Sequence, residues 1–297
     1  PVLKGEFETF VVPKEKKPVY KLPPLSLLNP PVARKGSDRV NYQENSIKLQ
    51  DTLKSFGINA KVENITIGPA ITRYEISIES GTRFNRILAL ADDIALSMAT
   101  AGVRIAPIPG KSVIGIEIPN STVSMVTLRE CLESDAFRNS KSCVSFALGK
   151  DISGNTKVAD ISKMPHLLIA GQTGSGKSVA INSLIMSILY KSTPEEVRLI
   201  LVDPKKVELS MYNGIPNLLL PVVTDPRKAA GALQYVVRQM ENRYNEFGEK
   251  RVKDINRYNE LCVANGWPIM PRIVVIVDEL NDLMMVAQGE VEDSVMR

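Results

Sequence analysis

The sequence predicts an α/β protein with two folded domains behind an extended N-terminal segment. Three observations support this prediction. The chain has 297 residues, which is enough for two hydrophobic cores. Its first half contains strands of alternating polarity, and its second half contains short apolar strands separated by amphipathic helices. Its first 31 residues include seven prolines, a composition that disfavours packed elements.

We predict that residues 1–35 are a proline-rich linker, without stable secondary structure over roughly the first 20 residues. Residues 36–150 are predicted to form the smaller α/β domain. Gly68-Pro69 and Pro109-Gly110 predict turns between its strands. Its predicted elements are helices at 44–56, 83–100 and 127–137, and strands at 60–67, 70–79, 103–107 and 113–118.

Residues 151–297 are predicted to form the second domain. Asp225 and Pro226 suit the N-cap and first position of one of its helices. The predicted elements are strands at 166–170, 197–202 and 273–277, and helices at 177–190 and 227–247. The first two strands and the helix between them are typical of a βαβ unit, so we expect parallel strands and a right-handed crossover.

Composition excludes several classes of protein. The formal charge of +4 permits a polyanionic partner but does not establish one. Cys131, Cys143 and Cys262 lack metal-ligand spacing and are typical of reduced thiols. No apolar run approaches the roughly 20 residues of a membrane helix, so we expect the sequence shown to be soluble.

Residues 171–178 read GQTGSGKS and fit the phosphate-loop pattern G-x-x-x-x-G-K-[ST] between a predicted strand and a helix. Glycines let successive backbone N–H groups point at phosphates, and the helix adds the positive end of its dipole. Lys177 should reach the β and γ phosphates of ATP, and the Ser178 hydroxyl should coordinate Mg²⁺. The predicted nucleotide-binding residues are Gly171, Thr173, Gly174, Ser175, Gly176, Lys177, Ser178 and Val179.

Residues 272–279 read RIVVIVDE, an apolar strand that ends in two acids, as in a Walker B element. Asp278 should hold Mg²⁺ through water, and Glu279 should orient and deprotonate the attacking water. Lys177 and Glu279 are therefore the predicted catalytic residues, and Ser178 and Asp278 the predicted metal ligands. A chance glycine-rich turn and a pair of acids that merely open a loop are the alternatives.

Other polar residues have simpler interpretations. Residues 203–206 read DPKK and are typical of a polar turn. His166 is expected to be a packed histidine, because the predicted mechanism uses no imidazole. The basic residues between 250 and 257 are interrupted by acids, which favours a solvated helical surface.

Longer strings of residues carry a resemblance. They are KMPHLLIAG at 163–171, DPK at 203–205 with Glu208-Leu209, and DEL at 278–280 with DLMM at 282–285. The first domain adds GP at 68–69, TRYE at 72–75, LADDIA at 90–95, APIPGK at 106–111 and ALGKDI at 147–152. Over about residues 20–297 the chain resembles the FtsK/SpoIIIE family of DNA translocases. Asn281 is a departure, because family members usually carry a small residue there.

The resemblance implies an α domain followed by a RecA-like P-loop ATPase domain that is incomplete at its C-terminus. It also implies a hexameric ring around double-stranded DNA that uses ATP and Mg²⁺ in chromosome segregation at division or sporulation. A membrane-anchoring N-terminal region, a γ domain that reads DNA and an arginine finger from a neighbouring subunit are implied outside this sequence. The full-length protein would then work at the cytoplasmic face of the cell membrane.

Two alternatives stay open at this point. One is a secretion or conjugation ATPase of the same superfamily, and the other is a nucleotide-binding assembly module without turnover. In RecA-like sheets a further strand lies between the P-loop strand and the Walker B strand. We expect residues 166–170 and 273–277 to lack this neighbour. Either the chain is then part of a longer protein, or its second domain is rearranged or poorly ordered near the C-terminus. The 297-residue chain alone is expected to be inactive.

Overall fold

The computed structural model describes residues 20–31, 38–79, 81–164 and 166–297, with backbone only at 38–41. Most of the predicted linker lies outside these ranges, including all but one of its first 20 residues. Within the described part, residues 20–31 contain a single 3-10 turn at Leu25–Leu27. Leu25 and Leu28 pack against a small apolar cluster that includes Leu132 and Phe137. This part of the predicted linker is therefore attached to the folded protein.

The first unit is an antiparallel sheet with helices packed on one face, and its α/β class is the predicted one. Its elements are α1 (Asp38–Ser55), β1 (Ala60–Ile67), β2 (Ile71–Ile78), α2 (Phe84–Leu88), α3 (Ala91–Ser97), β3 (Arg104–Pro107) and β4 (Ile114–Pro119). The strand order is β1-β2-β4-β3, and every neighbouring pair is antiparallel. Side chains from both layers meet in one core; its fully buried members include Leu49, Leu53, Tyr74, Ile76 and Ile116.

The predicted helix at 83–100 is wrong in one respect, because the structure divides it into α2 and α3. Leu90 leaves the helical region, with φ −93° and ψ 11°. Ile87 from α2 and Ile94 from α3 both reach the core of this unit.

The predicted helix at 127–137 is also two helices, α4 (Leu128–Glu133) and α5 (Asp135–Arg138). Ser134 between them has an extended backbone, and its hydroxyl accepts the N–H of Phe137 as the N-cap of α5. Serine prefers such a cap to a helix interior because its side chain competes for backbone hydrogen bonds.

An antiparallel hairpin, β5 (Ser145–Lys150) and β6 (Thr156–Asp160), follows α5 and was not predicted. Val144 and Phe146 join the same buried cluster as Ile185 and Leu199 of the second unit. The hairpin therefore packs with the second unit although it spans residue 150, the predicted domain boundary.

The second unit has a parallel strand pair between two helical layers. Its elements are α6 (Lys177–Leu189), β7 (Val197–Val202), α7 (Pro226–Lys250), α8 (Ile255–Asn265), β8 (Arg272–Val277) and α9 (Leu280–Met296). Leu199 and Leu201 of β7 face the α6 cluster, whereas Ile200 and Val202 face α7 and α9. The α/β fold class is thus confirmed for both units.

Strand β7 lies between two neighbours. Val197 pairs with Arg272 and Val202 with Val277, so β7 and β8 are parallel and in register. On the other edge of β7, two parallel bridges join Leu199 to Leu218 and Val202 to Val223.

The predicted strand at 166–170 is wrong, and so is the predicted βαβ unit. In the described structure these residues belong to no sheet, and four of the five are exposed, His166 among them. Ile169 is the half-buried one, and it packs against the α6 cluster. The edge of β8 remote from β7 also has no strand partner among the described residues. A central strand needs such a neighbour for its backbone groups, so the segment does not become a strand.

In the part of the chain that the structure describes, no helix combines the length and the apolar character needed to cross a membrane.

Candidate nucleotide-binding site

The N-terminus of α6 is open to an anion. Gly176 is its N-cap, with a left-handed backbone at φ 99°, and the first turn contains no acidic residue. Backbone N–H groups at such an end lack partners within the helix, and the dipole favours negative charge there. Residues 171–176 before the helix are all exposed. This geometry suits a phosphate group.

Two glycines of the loop meet specific demands. The left-handed conformation of Gly176 would be strained in a residue with a Cβ. Gly171 passes so close to Ser175 that an added Cβ would lie 2.0 Å from the Ser175 Oγ. The loop also contains Thr173 and Gly174 in exposed positions, and Val179 in the first turn of α6 is 68% exposed.

The parallel register brings the predicted acids to this helix end. Val202 and Val277 are paired, so Asp203 and Asp278 leave their strands at the same edge of the sheet. The Asp278 N–H donates to the Val202 carbonyl at 3.0 Å, which continues the ladder by one residue. Polar residues that follow neighbouring parallel strands meet at the edge where ligands bind in α/β proteins.

Lys177 joins the phosphate loop to both predicted acids. Its Nζ donates to the Asp278 carbonyl oxygen at 2.9 Å. The same Nζ lies 3.2 Å from Asp278 Oδ1 and 3.7 Å from Glu279 Oε2. The Asp278 side chain is 3% exposed, and its Oδ1 accepts no hydrogen bond among the described residues. The contact of Oδ1 with Lys177 is therefore an ion pair, which needs proximity but not hydrogen-bond alignment.

Glu279 is the N-cap residue of α9 and makes its principal contact with a lysine. Lys205 Nζ lies 3.2 Å from Glu279 Oε2. This hydrogen bond lowers the pKa of the Glu279 carboxyl; partial burial opposes the change, and the charge of Lys177 adds to it. The same contact raises the pKa of the Lys205 ammonium. The pair is therefore a carboxylate and an ammonium ion.

A loop of residues 203–209, called the 203–209 loop below, contacts both Ser178 and Glu279. Asp203 is fully buried, and its Oδ2 accepts the N–H of Glu208 at 3.1 Å and of Leu209 at 2.9 Å. Glu208 Oε1 accepts the Ser178 hydroxyl at 2.9 Å. Because that hydroxyl donates its proton to Glu208, its oxygen lone pairs remain available to a cation.

The structure places Lys177 in contact with Asp278 and Glu279, and Ser178 in contact with Glu208; the roles of the four predicted residues stay a prediction. It adds three residues that the prediction did not place there, namely Asp203, Lys205 and Glu208. In the sequence these three residues lie in a polar run after an apolar strand, and such a run alone is typical of any surface turn. This run becomes part of the site because β7 pairs in parallel with β8.

The oxygen donors fit Mg²⁺. Asp278 Oδ1 is buried without a hydrogen bond among the described residues, and the Ser178 hydroxyl is oriented by a carboxylate. Within the described ranges, no three His, Cys, Asp or Glu side chains form a cage for a metal ion. Mg²⁺ suits such a site because it commonly takes one or two protein ligands together with phosphates and water.

A profile of the FtsK alpha domain matches residues 22–120, and a profile of the FtsK/SpoIIIE family matches residues 127–297. The chain belongs to the FtsK/SpoIIIE family. The first of these matches ends at residue 120, and the second begins at residue 127.

Individual FtsK proteins are similar over nearly the whole chain. The DNA translocase FtsK of Clostridium acetobutylicum is 54% identical over 282 residues, covering 94% of this chain and 37% of that protein. The DNA translocase FtsK of Sporosarcina ureae is 49% identical over 307 residues, covering 100% of this chain and 38% of that protein. The chain thus spans about two fifths of the length of these curated relatives.

Among solved structures, the conjugation coupling protein TcpA in its monomer form matches with a TM-score of 0.48 at 19% identity, covering 85% of this chain and 70% of that one.

Proposed function

We propose that this chain is the ATP-binding and ATP-hydrolysing part of a motor that translocates double-stranded DNA. One observation supports the chemical part most directly. Lys177, at the open N-terminus of a helix, contacts both Asp278 and Glu279 at the edge of a parallel sheet. An anion site, a cation site and an ionised carboxylate within reach of one another are what phosphoryl transfer to water requires.

The residues have separate roles in this proposal. Lys177 leaves the acids and binds the β and γ phosphates, together with backbone N–H groups of residues 171–179. Ser178, and Asp278 through water, would hold Mg²⁺, which would supply positive charge against the phosphates. Glu279 accepts a proton from the attacking water, a role that requires an ionised carboxylate. Its low pKa keeps it ionised at neutral pH.

The DNA track is proposed from the relatives. Proteins named DNA translocase FtsK are about half identical to this chain over nearly its full length. On this basis we propose a hexameric ring around duplex DNA, with an arginine finger from the neighbouring subunit. We further propose a membrane anchor that places the motor at the cytoplasmic face of the cell membrane, in chromosome segregation at division or sporulation. The contacts of the motor with DNA should be mostly with phosphates, so DNA binding should be independent of base sequence and sensitive to salt.

The test is ATP hydrolysis by the full-length protein with and without duplex DNA. We expect DNA to stimulate phosphate release. Lys177→Ala should lose tight ATP binding or turnover, and Glu279→Gln should bind ATP without hydrolysing it. Lys206→Ala and Glu292→Gln are matched controls, because both side chains are exposed and lie outside the proposed machinery.

Three results would contradict the proposal. Normal turnover by Glu279→Gln in the complete assembly would remove the catalytic assignment. Stimulation by single strands or a protein substrate, but not by duplex DNA, would favour a conjugation or secretion ATPase. Nucleotide that stays bound and is never hydrolysed, even in assembled rings, would indicate an assembly module.

We also propose that the 297-residue chain alone does not sustain DNA-stimulated hydrolysis. The support is the state of residues 166–170, which lead into the phosphate loop without pairing to the described sheet. The phosphate loop then lacks the rigid strand that normally holds it beside the acids. Robust DNA-dependent phosphate release from the purified chain would show that this strand is dispensable.

A further inference from the structure

Two lysines share one oxygen of Glu279. Lys205 Nζ lies 3.2 Å and Lys177 Nζ 3.7 Å from Glu279 Oε2. Lys205 also lies 4.0 Å from Asp282 Oδ2, in the first turn of α9. Glu279 is thus bound from two different elements, the first turn of α6 and the 203–209 loop.

The two contacts differ in what happens when nucleotide binds. Lys177 belongs to the phosphate loop, and its ammonium must turn to the phosphates for phosphoryl transfer. Glu279 then loses Lys177 as a partner during hydrolysis, when the orientation of its carboxylate determines how it meets the attacking water. Lys205 belongs to a different loop and has no phosphate to bind in the proposed mechanism, so its contact can persist.

The 203–209 loop is held firmly enough to place a side chain. Asp203 is fully buried, its N–H donates to the Val223 carbonyl at 2.9 Å, and its Oδ2 accepts two N–H groups from the far end of the loop. Leu209 at that end is fully buried. Pro204 restricts the backbone before Lys205. Lys205 therefore extends from a short segment fixed at both ends.

We propose that Lys205 is a positioning residue that holds the Glu279 carboxylate in place when Lys177 moves to the phosphates. This inference rests on the proposed function, in which Glu279 activates water. A catalytic group displaced by about 1 Å can lose up to a hundredfold in rate, so a contact that directs Glu279 acts on turnover. The pair is partly exposed, at 53% for Lys205 and 31% for Glu279, and contributes little to folding.

The experiment measures kcat and KM for ATP, with duplex DNA, on the full-length protein and three variants. Lys205→Met removes the charge with little change in length. Lys205→Arg keeps a cation in reach of the carboxylate. Lys206→Met removes a charge from the next residue, whose exposed side chain makes no hydrogen bond or ion pair within the described structure. Affinity for a non-hydrolysable ATP analogue is measured in parallel.

We expect Lys205→Met to lower kcat about tenfold, with KM and analogue affinity within about twofold of the wild type. Lys205→Arg should recover most of the loss, and Lys206→Met should match the wild type. In a Glu279→Gln background, Lys205→Met should lower the residual rate no further, because the group it positions has been removed.

A Lys205→Met protein with unchanged or increased kcat would overturn the inference, and so would an equal loss in Lys206→Met. An unaltered kcat with a raised KM would assign Lys205 to nucleotide binding and also overturn it. A wild-type protein without turnover would instead refute the proposed function, and this inference with it.

Discussion

Replacing Asp203 by alanine should release the 203–209 loop, and the size of the effect follows from two hydrogen bonds. Asp203 Oδ2 accepts the N–H of Leu209 in a buried position and the N–H of Glu208 in a partly buried one. A buried N–H that loses its acceptor costs about 1–3 kcal/mol, and one that can turn to water costs about 1 kcal/mol or less. We therefore expect Asp203→Ala to lower the local opening free energy by about 1–4 kcal/mol.

Asp203→Asn is the matched control. Its carbonyl oxygen can accept the same two N–H groups, and its NH₂ replaces Oδ1, which accepts no hydrogen bond within the described residues. We expect a smaller loss than in Asp203→Ala, because both N–H groups keep an acceptor although its charge is lost.

Hydrogen exchange at the Glu208 and Leu209 amides of the full-length protein measures this opening. A fall of about 1–4 kcal/mol corresponds to a loss of protection of roughly 5- to 1000-fold. The loop also carries the contacts to Ser178 and Glu279, so ATP turnover should fall in Asp203→Ala and be largely kept in Asp203→Asn. Equal protection of the Leu209 amide in wild type and Asp203→Ala would refute this account of the loop.

Three further outcomes are expected. Ile116→Ala, in the centre of the first unit's sheet, should lower its free energy of unfolding in urea by about 2–5 kcal/mol, whereas Leu96→Ala at a site 82% exposed should change it by less than about 0.5 kcal/mol. Burial raises the pKa of the Tyr74 hydroxyl from 10.0 to about 12. The contribution of this neutral side chain to the free energy of unfolding is therefore complete below pH 10 and is lost as pH rises through about 12. The thermal midpoint of the wild type should therefore fall more steeply than that of Tyr74→Phe over this range, and parallel curves would contradict the assignment. Glu208→Ala should raise the Mg²⁺ concentration for half-maximal ATPase activity about tenfold or more, because the Ser178 hydroxyl loses the acceptor that orients it; an unchanged Mg²⁺ titration would exclude that role.

Elements with a strong local signal were predictable from the sequence. The strands at 60–67 and 197–202 have the predicted limits, because alternation in one and a continuous apolar run in the other identify them. Asp225 caps α7 through the N–H groups of Arg227 and Lys228, as the Asp-Pro pair predicts. The hairpin of β5 and β6 was missed because its strands are short and its partner, α6, is remote in sequence.

The residues of the candidate site also fall into those that local sequence predicts and those that it does not. Lys177, Ser178, Asp278 and Glu279 lie in motifs whose spacing alone indicates their chemistry. Lys205 and Glu208 lie in a polar turn, and only the parallel register of β7 and β8 brings that turn to Glu279 and Ser178. The strand predicted at 166–170 failed for a related reason. Its residues have the right composition, but a buried strand also needs hydrogen-bonding neighbours, and composition carries no information about them.

The phosphate loop and the acids meet through side-chain contacts of Lys177 rather than through a backbone ladder in the described sheet. A nucleotide that binds both sides would act as a cross-link between them. Ligand at about a hundred times its dissociation constant adds about 2.7 kcal/mol of stability to the state that binds it. We expect much of that stabilisation where α6 meets the end of β8. The rigidity of this edge of the sheet would then change during each turnover, as one nucleotide is exchanged for another.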